Sequence, residues 1–178
     1  MSSYLILAFA LCGLATCVVP ARAIDLTLES TGVRGLTSNP YNGARFYQVE
    51  GYLNWNLPWR WQPGESWTIQ SRLDLTGGGM NGRGEDAVFA TVGPSFELAW
   101  KDLPLALDAG TSPTVLSREQ FGHTDFGTVF QFTTHAGLNW KLGSRWTLGC
   151  RFAHMSNANI GPSNPGVNFY SLGTGWRF

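Results

Sequence analysis

Three side chains near the end of the chain have types and spacing that suit nucleophilic chemistry: His154, Ser156 and Asn168. A serine hydroxyl becomes a nucleophile when a neighbouring imidazole takes its proton. That imidazole needs a third group to accept its other N–H and so fix the tautomer. On an extended strand, residues two apart lie side by side on one face, which pairs His154 with Ser156. Asn168 would offer its amide oxygen from the next strand, across loop 158–166. Two other histidines read differently, His123 as a loop residue and His135 as a residue of the opposite, polar face. No Cys, His and carboxylate cluster has metal-ligand spacing, so neither a metal nor another cofactor is expected. Cys150 shares a face with apolar residues and reads as a small apolar side chain.

The elements that would carry these groups are strands. Eight segments alternate apolar and polar residues with period two: 24–34, 44–56, 65–75, 86–100, 104–111, 126–140, 145–157 and 167–178. In 145–156 the even positions are Trp146, Leu148, Cys150, Phe152, His154 and Ser156. The odd positions include Arg145, Thr147, Arg151 and Met155. The other segments behave alike, and their polar faces collect Asp25, Glu29, Glu50, Arg72, Asp74, Glu97, Asp108, His135, Arg151 and Arg177. Opposite charges of this kind suit the interior of a narrow barrel. Short connections at 101–103 and 141–144 alternate with longer ones at 76–85, 112–125 and 158–166, the pattern of periplasmic turns and extracellular loops.

Composition agrees. Only 13% of the chain is charged, against about a quarter in a soluble domain. Twelve basic and twelve acidic residues balance, which leaves no single-sign field for nucleic acid. No apolar run reaches the ~20 residues of a membrane helix. All eight tryptophans (Trp55, Trp59, Trp61, Trp67, Trp100, Trp140, Trp146 and Trp176) fall near one set of strand ends. An interface rewards an apolar ring with a polar N–H, and a lipocalin-like soluble barrel has no reason for such a rim. The expected fold is therefore all-β: an eight-stranded antiparallel transmembrane β-barrel of the bacterial outer membrane over 24–178. Residues 4–19 are an apolar stretch followed by Pro20, Ala21, Arg22 and Ala23, so 1–23 reads as a cleaved secretory signal peptide. On this layout His154, Ser156 and Asn168 share the lipid-facing wall at its extracellular end.

The run His154, Met155, Ser156, Asn157, Ala158, Asn159, followed by Ser163, Asn164, Pro165, Gly166, Val167 and Asn168, resembles the PagL family of outer-membrane lipid A 3-O-deacylases. The resemblance implies an eight-stranded barrel that hydrolyses the 3-O-linked acyl ester of lipid A. It further implies lipopolysaccharide as substrate, His154 as base and Ser156 as nucleophile. By the same correspondence Asn157 would help form the oxyanion hole and Asn164 would shape the site. The family usually has an acidic residue where this chain has Asn168. A carboxylate-to-amide change in a chymotrypsin-type triad costs about 10⁴ in rate, yet Cys-His-Asn sites work with a native Asn. A retained but slower hydrolase is expected, with Glu119 or Asp125 as less favoured substitutes. Arg34, Arg45, Arg83 and Arg118 lie in or near the expected extracellular loops and are candidate partners for lipid A phosphates. The alternatives are an outer-membrane phospholipase with the same machinery and a catalytically silent adhesion or structural barrel.

Overall fold

A computed structural model describes residues 26–40 and 43–178. The leader read at 1–23, and Asp25, lie outside the described residues. Among the described residues eight strands close into one antiparallel barrel: β1 (Thr27–Ser38), β2 (Phe46–Trp61), β3 (Trp67–Gly82), β4 (Glu85–Trp100), β5 (Leu105–Leu116), β8 (Phe130–Leu142), β9 (Trp146–Ser156) and β10 (Val167–Arg177). The short hairpin of β6 (Gln120–Phe121) and β7 (Thr124–Asp125) lies between β5 and β8. Closure pairs β1 with β10, Ser30 opposite Arg177 through Ser38 opposite Phe169. Among the described residues the barrel sheet has no free edge, as a lipid-exposed sheet requires.

Two expectations are corrected. The longer loop expected at 76–85 is strand: β3 and β4 pair without interruption from Trp67↔Trp100 to Gly82↔Glu85. The chain reverses at Arg83 and Gly84 with φ of 54° and 78°. Positive φ at both central residues makes the tight hairpin turn whose twist matches the flanking strands. The run Thr76, Gly77, Gly78, Gly79 looks like loop composition. Inside a narrow barrel, however, a missing side chain lets strands approach, and a Cβ on Gly78 would lie 2.1 Å from the Val49 carbonyl oxygen. The second correction concerns Arg34. A bulge between Leu28 and Ser30 shifts the register of β1, so the even residues after it point inward. Arg34 is therefore inside the barrel, its Nε donating to Glu50 Oε1 at 2.6 Å. It is not a loop cation.

The interior has two zones. The half nearer the tryptophan end is ionic. Arg72 pairs with Glu97 and Glu29, Lys141 with Glu97, and Arg151 with Asp108, while His135 lies 3.4 Å from Asp108. Arg34 also covers the ring of Tyr52 at 4.1 Å. Buried charges cost several kcal/mol each when unpaired, and the alternation of the strands places a partner beside each. The half nearer the other end is mostly apolar, with Ser38, Gln48, Thr114 and Gln131 buried among apolar side chains. Leu36, Phe46, Met80, Phe89, Leu116, Met155, Val167 and Phe169 are buried there with Phe121 and Phe126. Phe121 and Phe126 come from the β5–β8 connection and cap the barrel. Their rings meet Phe46 edge-on at centroid distances of 5.5 and 5.6 Å.

Outside, the wall is apolar: Val33, Val49, Val88, Leu148, Phe152 and Leu172 are all exposed. The eight tryptophans lie toward one set of strand ends, where Trp67 opposes Trp100 and Trp146 opposes Trp176. This girdle with its short turns marks the periplasmic side. The opposite side holds the β5–β8 and β9–β10 connections. One seam is weakened. β4 and β5 stay in register at Thr91↔Thr114 and Ser95↔Gly110 but do not pair across the three residues between. Pro94 and Pro113 fall in that gap, and proline has no N–H to give a ladder.

Candidate functional site

β9 delivers His154 to the outer wall because its alternation is unbroken from Trp146 to Ser156. Ala153 and Met155, on either side of His154, are buried in the interior, which obliges His154 to face out. The same holds on β10, where buried Val167 and Phe169 flank Asn168. The two strands pair with Asn168 directly opposite His154. Asn168 Oδ1 lies 2.7 Å from His154 Nδ1, a hydrogen bond if Nδ1 carries the proton. That tautomer leaves Nε2 with its lone pair outward. Ser156, half-buried, follows two residues on along the same face and stands opposite Phe132 of β8. Among the described residues no hydrogen bond joins Ser156 to His154. Such contacts are commonly loose without substrate and tighten in the reacting complex.

The segment after Ser156 is held by its asparagines. Asn157 is fully buried, and all four of its polar groups are occupied. Its backbone N–H donates to Asn164 Oδ1 at 3.0 Å, and its carbonyl accepts from Ile160 N at 3.1 Å. Its Nδ2 donates to the Phe126 and Ser163 carbonyls at 2.8 and 2.7 Å, and its Oδ1 accepts from Asn159 N at 2.9 Å. Asn164 Nδ2 returns to Asn159 Oδ1 at 2.9 Å. The Asn157 N–H that the resemblance would offer to an oxyanion thus donates to Asn164 Oδ1 in this structure. Both residues serve as a clamp on the backbone that follows Ser156. Ala158 and Asn159 are both in the left-handed region, φ 53° and 64°, a strained pair of the kind that collects at functional sites.

Gly166 closes the site from above. Its φ is 62°, and a Cβ there would lie 3.0 Å from His154 Cε1 and 3.5 Å from Nε2. Only glycine both adopts this conformation freely and leaves the imidazole in place. Below, Phe152 of β9 and Tyr170 of β10 pack ring on ring at 5.5 Å, and Tyr170 OH accepts from Asn39 Nδ2 at 3.4 Å. Phe130 and Phe132 form an edge-on pair at 5.1 Å on the β8 side. Ser156 therefore opens onto an apolar wall between aromatic pairs, which suits an alkyl chain. Gly166, Asn159 and these aromatics are site features that period-two reading misses. The signal available in the sequence is the density of Asn and Gly between two strictly alternating segments.

The remaining candidates are dispersed. Arg45 is exposed just before β2 and makes no ion pair among the described residues. Arg83 donates to Thr124 Oγ1 at 3.2 Å, and Arg118 lies 3.5 Å from Glu85 and over the Phe121 ring. Both tie the capping hairpin to the β3–β4 turn, across the barrel from β9. Glu119 and Asp125 do not replace Asn168: Asp125 Oδ1 accepts from Gly127 N at 2.7 Å, and Nδ1 of His154 already faces Asn168. His123 is exposed in the turn between β6 and β7, and His135 is in the interior. Among the described residues no group of His, Cys, Asp and Glu could hold a metal ion.

Comparison with known proteins adds to this geometry. The family model "Lipid A 3-O-deacylase (PagL)" matches residues 48–177. The Lipid A deacylase PagL of Bordetella bronchiseptica is 32% identical over 85% of this chain and 88% of its own length. That of Pseudomonas aeruginosa is 26% identical over 87% of each. The crystal structure of the outer membrane enzyme PagL superposes with a TM-score of 0.67 at 20% identity, over 81% of this chain and 97% of that one. The last is a likeness of fold. The extent of the family match, with the sequence identity to the Bordetella protein, establishes that this outer-membrane β-barrel belongs to the PagL family.

Proposed function

We propose that the protein hydrolyses the 3-O-linked acyl ester of lipid A in the outer leaflet, with Ser156 as nucleophile, His154 as general base and Asn168 as the group that orients the base. The observation that carries this reading is the 2.7 Å contact of His154 Nδ1 with Asn168 Oδ1. It sits on the lipid-facing wall, where a water-soluble substrate has no access. The Asn168 carbonyl holds Nδ1 as the protonated nitrogen, so Nε2 takes the Ser156 proton as Oγ attacks the ester carbonyl. The tetrahedral intermediate collapses by breaking the bond to the sugar oxygen, which leaves with the proton from Nε2. Water, deprotonated by the same nitrogen, then attacks the acyl-enzyme. A 3-hydroxy fatty acid is released and Ser156 is restored.

An amide stabilises the transient imidazolium less than a carboxylate, so turnover is slower than with Asp or Glu at 168. Arg45, exposed at the extracellular rim, remains a candidate for a lipid A phosphate. The protein carries a cleaved leader at 1–23 on this reading, as export to the outer membrane requires. The test is mass spectrometry of lipid A after lipopolysaccharide is incubated with detergent-purified wild-type or Ser156→Ala protein. Loss of one 3-hydroxyacyl group with the wild type alone is the expected result. An unchanged mass from a folded barrel refutes the reading, and release of fatty acid from phospholipid instead makes the protein a phospholipase.

A further inference from the structure

The polar groups of the site continue along the outer wall beyond the three residues assigned so far. Asn168 of β10 opposes His154 of β9, His154 opposes Thr134 of β8, and Thr134 opposes Thr111 of β5. Four polar side chains on four adjacent strands thus form one row along the hydrogen-bonding direction of the sheet, which the strand tilt carries obliquely across the wall. Thr111 and Thr134 are both exposed on the outer face, and their hydroxyl oxygens are 3.0 Å apart. A lipid-facing threonine can hide its hydroxyl proton on a carbonyl of the sheet. Thr31 does so on the Tyr52 carbonyl and Thr174 on that of Thr147. Thr111 and Thr134 bond to each other instead. Each hydroxyl has one donor and two acceptor positions, so the mutual bond leaves one proton and further lone pairs without a partner among the described residues. In hydrocarbon such groups are costly.

We infer that the Thr111–Thr134 hydroxyl pair is a specificity subsite that binds the C3 hydroxyl of the acyl chain being removed. The inference rests on the hydrolytic reading of Ser156 and goes beyond it. Position supports this occupant. β9 rises toward the extracellular side, so His154 lies two residues, about 6–7 Å along the strand, on the membrane-core side of Ser156, and Thr134 pairs with His154. An acyl chain whose carbonyl meets Ser156 runs down the wall. Its third carbon, a hydroxyl and a hydrogen bond of ~2.8 Å span about that distance. Thr134 is a diagonal cross-strand neighbour of Ser156, within the ~7–8 Å that such pairs bridge. The unpaired stretch of β4–β5 beside Thr111, at Pro94 and Pro113, leaves the pair flanked by strand without ladder bonds.

The test uses two synthetic glucosamine esters acylated at O3, one with 3-hydroxydecanoate and one with decanoate. Each is given to the detergent-purified full chain as wild type, Thr134→Val, Thr111→Val and the double variant. Valine keeps the β-branched shape and replaces the hydroxyl by a methyl group. The wild type is expected to favour the hydroxylated ester by about 5–10-fold in kcat/KM, the worth of one hydrogen bond. In Thr134→Val and the double variant the ratio falls toward one. A ratio near one in the wild type, or one unaltered in the double variant, overturns the subsite and leaves the hydrolase standing. If the wild type cleaves neither ester, the hydrolytic reading of this substrate fails. Threonine-methyl NMR of Ser156→Ala then decides the subsite separately. Shifts at Thr111 and Thr134 larger with the hydroxylated ester support it, and equal or absent shifts overturn it.

Discussion

Replacing Asn168 separates the orienting role from mere occupancy of the wall. Asn168→Leu removes the oxygen 2.7 Å from His154 Nδ1 and keeps a side chain of similar volume on an outward position of β10. Nothing then selects the Nδ1–H tautomer, and the imidazolium formed in the transition state loses its acceptor. A neutral hydrogen bond is worth about 1 kcal/mol net and one to a charged group about 1.5–3, so kcat is expected to fall by roughly 10–100-fold. Asn168→Asp works in the other direction. A carboxylate about 4 Å from an imidazolium gains about 4 kcal/mol at the effective dielectric of a partly exposed site. Even a third of that, expressed only in the transition state, raises kcat about 10-fold. The assay is deacylation of lipopolysaccharide under single-turnover conditions, with the heat-modified gel shift of the barrel as control for folding. Rates for Asn168→Leu within a factor of two of the wild type would refute the orienting role.

Gly166→Ala places a methyl 3.0 Å from His154 Cε1 and in a left-handed φ; a stability loss of about 1–2 kcal/mol and a fall in kcat of about 10-fold are expected. The first is read by urea unfolding and the second by the same deacylation assay. Arg34→Met alone strands Glu50 in the interior and is expected to cost about 3 kcal/mol. Arg34→Met with Glu50→Leu is expected to recover most of it, and equal losses in urea unfolding would count against a paired interior. Gly127→Ala is expected to slow deacylation with the barrel intact, because its Cβ would meet the Ser163 carbonyl oxygen at 2.2 Å and push the 157–166 connection off its seat. A wild-type rate there would show that the clamp does not depend on the capping segment.

The fold was legible because lipid outside and charge inside impose one period on every spanning strand. His154, Ser156 and Asn168 stood out because they break that period on the lipid face. What escaped had physical causes of its own. The Gly77, Gly78, Gly79 run has the composition of a loop but serves strand-to-strand approach. The bulge at Leu28 to Ser30 reverses parity by inserting one residue, and no local residue type announces it, so alternation counted from Leu28 puts Arg34 on the wrong face. The upper interior is apolar although the same inward face is ionic below. This difference comes from Phe121 and Phe126 folding back over the barrel, a contact distant in sequence. Asn157 and Asn164 are visible as residues, but the direction of their hydrogen bonds is not, and that direction makes them a clamp on the backbone after Ser156.

The outer-wall site derives its order from the interior. A hydrolytic group facing lipid has little around it to fix its position, since acyl chains make no directional contacts. Here each group proposed for that chemistry alternates with a buried neighbour: Ala153 and Met155 beside His154, Val167 and Phe169 beside Asn168. These neighbours belong to the same packed cluster that Phe121 and Phe126 cap, and Phe126 accepts the Asn157 hydrogen bond that anchors the segment after Ser156. The packed interior thus holds β9 and β10 in the register that gives the 2.7 Å contact outside. Catalytic groups on strands backed by close packing are held more firmly than groups on loops. A barrel that fills its lumen, instead of leaving a channel, makes its lipid-facing surface rigid enough for chemistry.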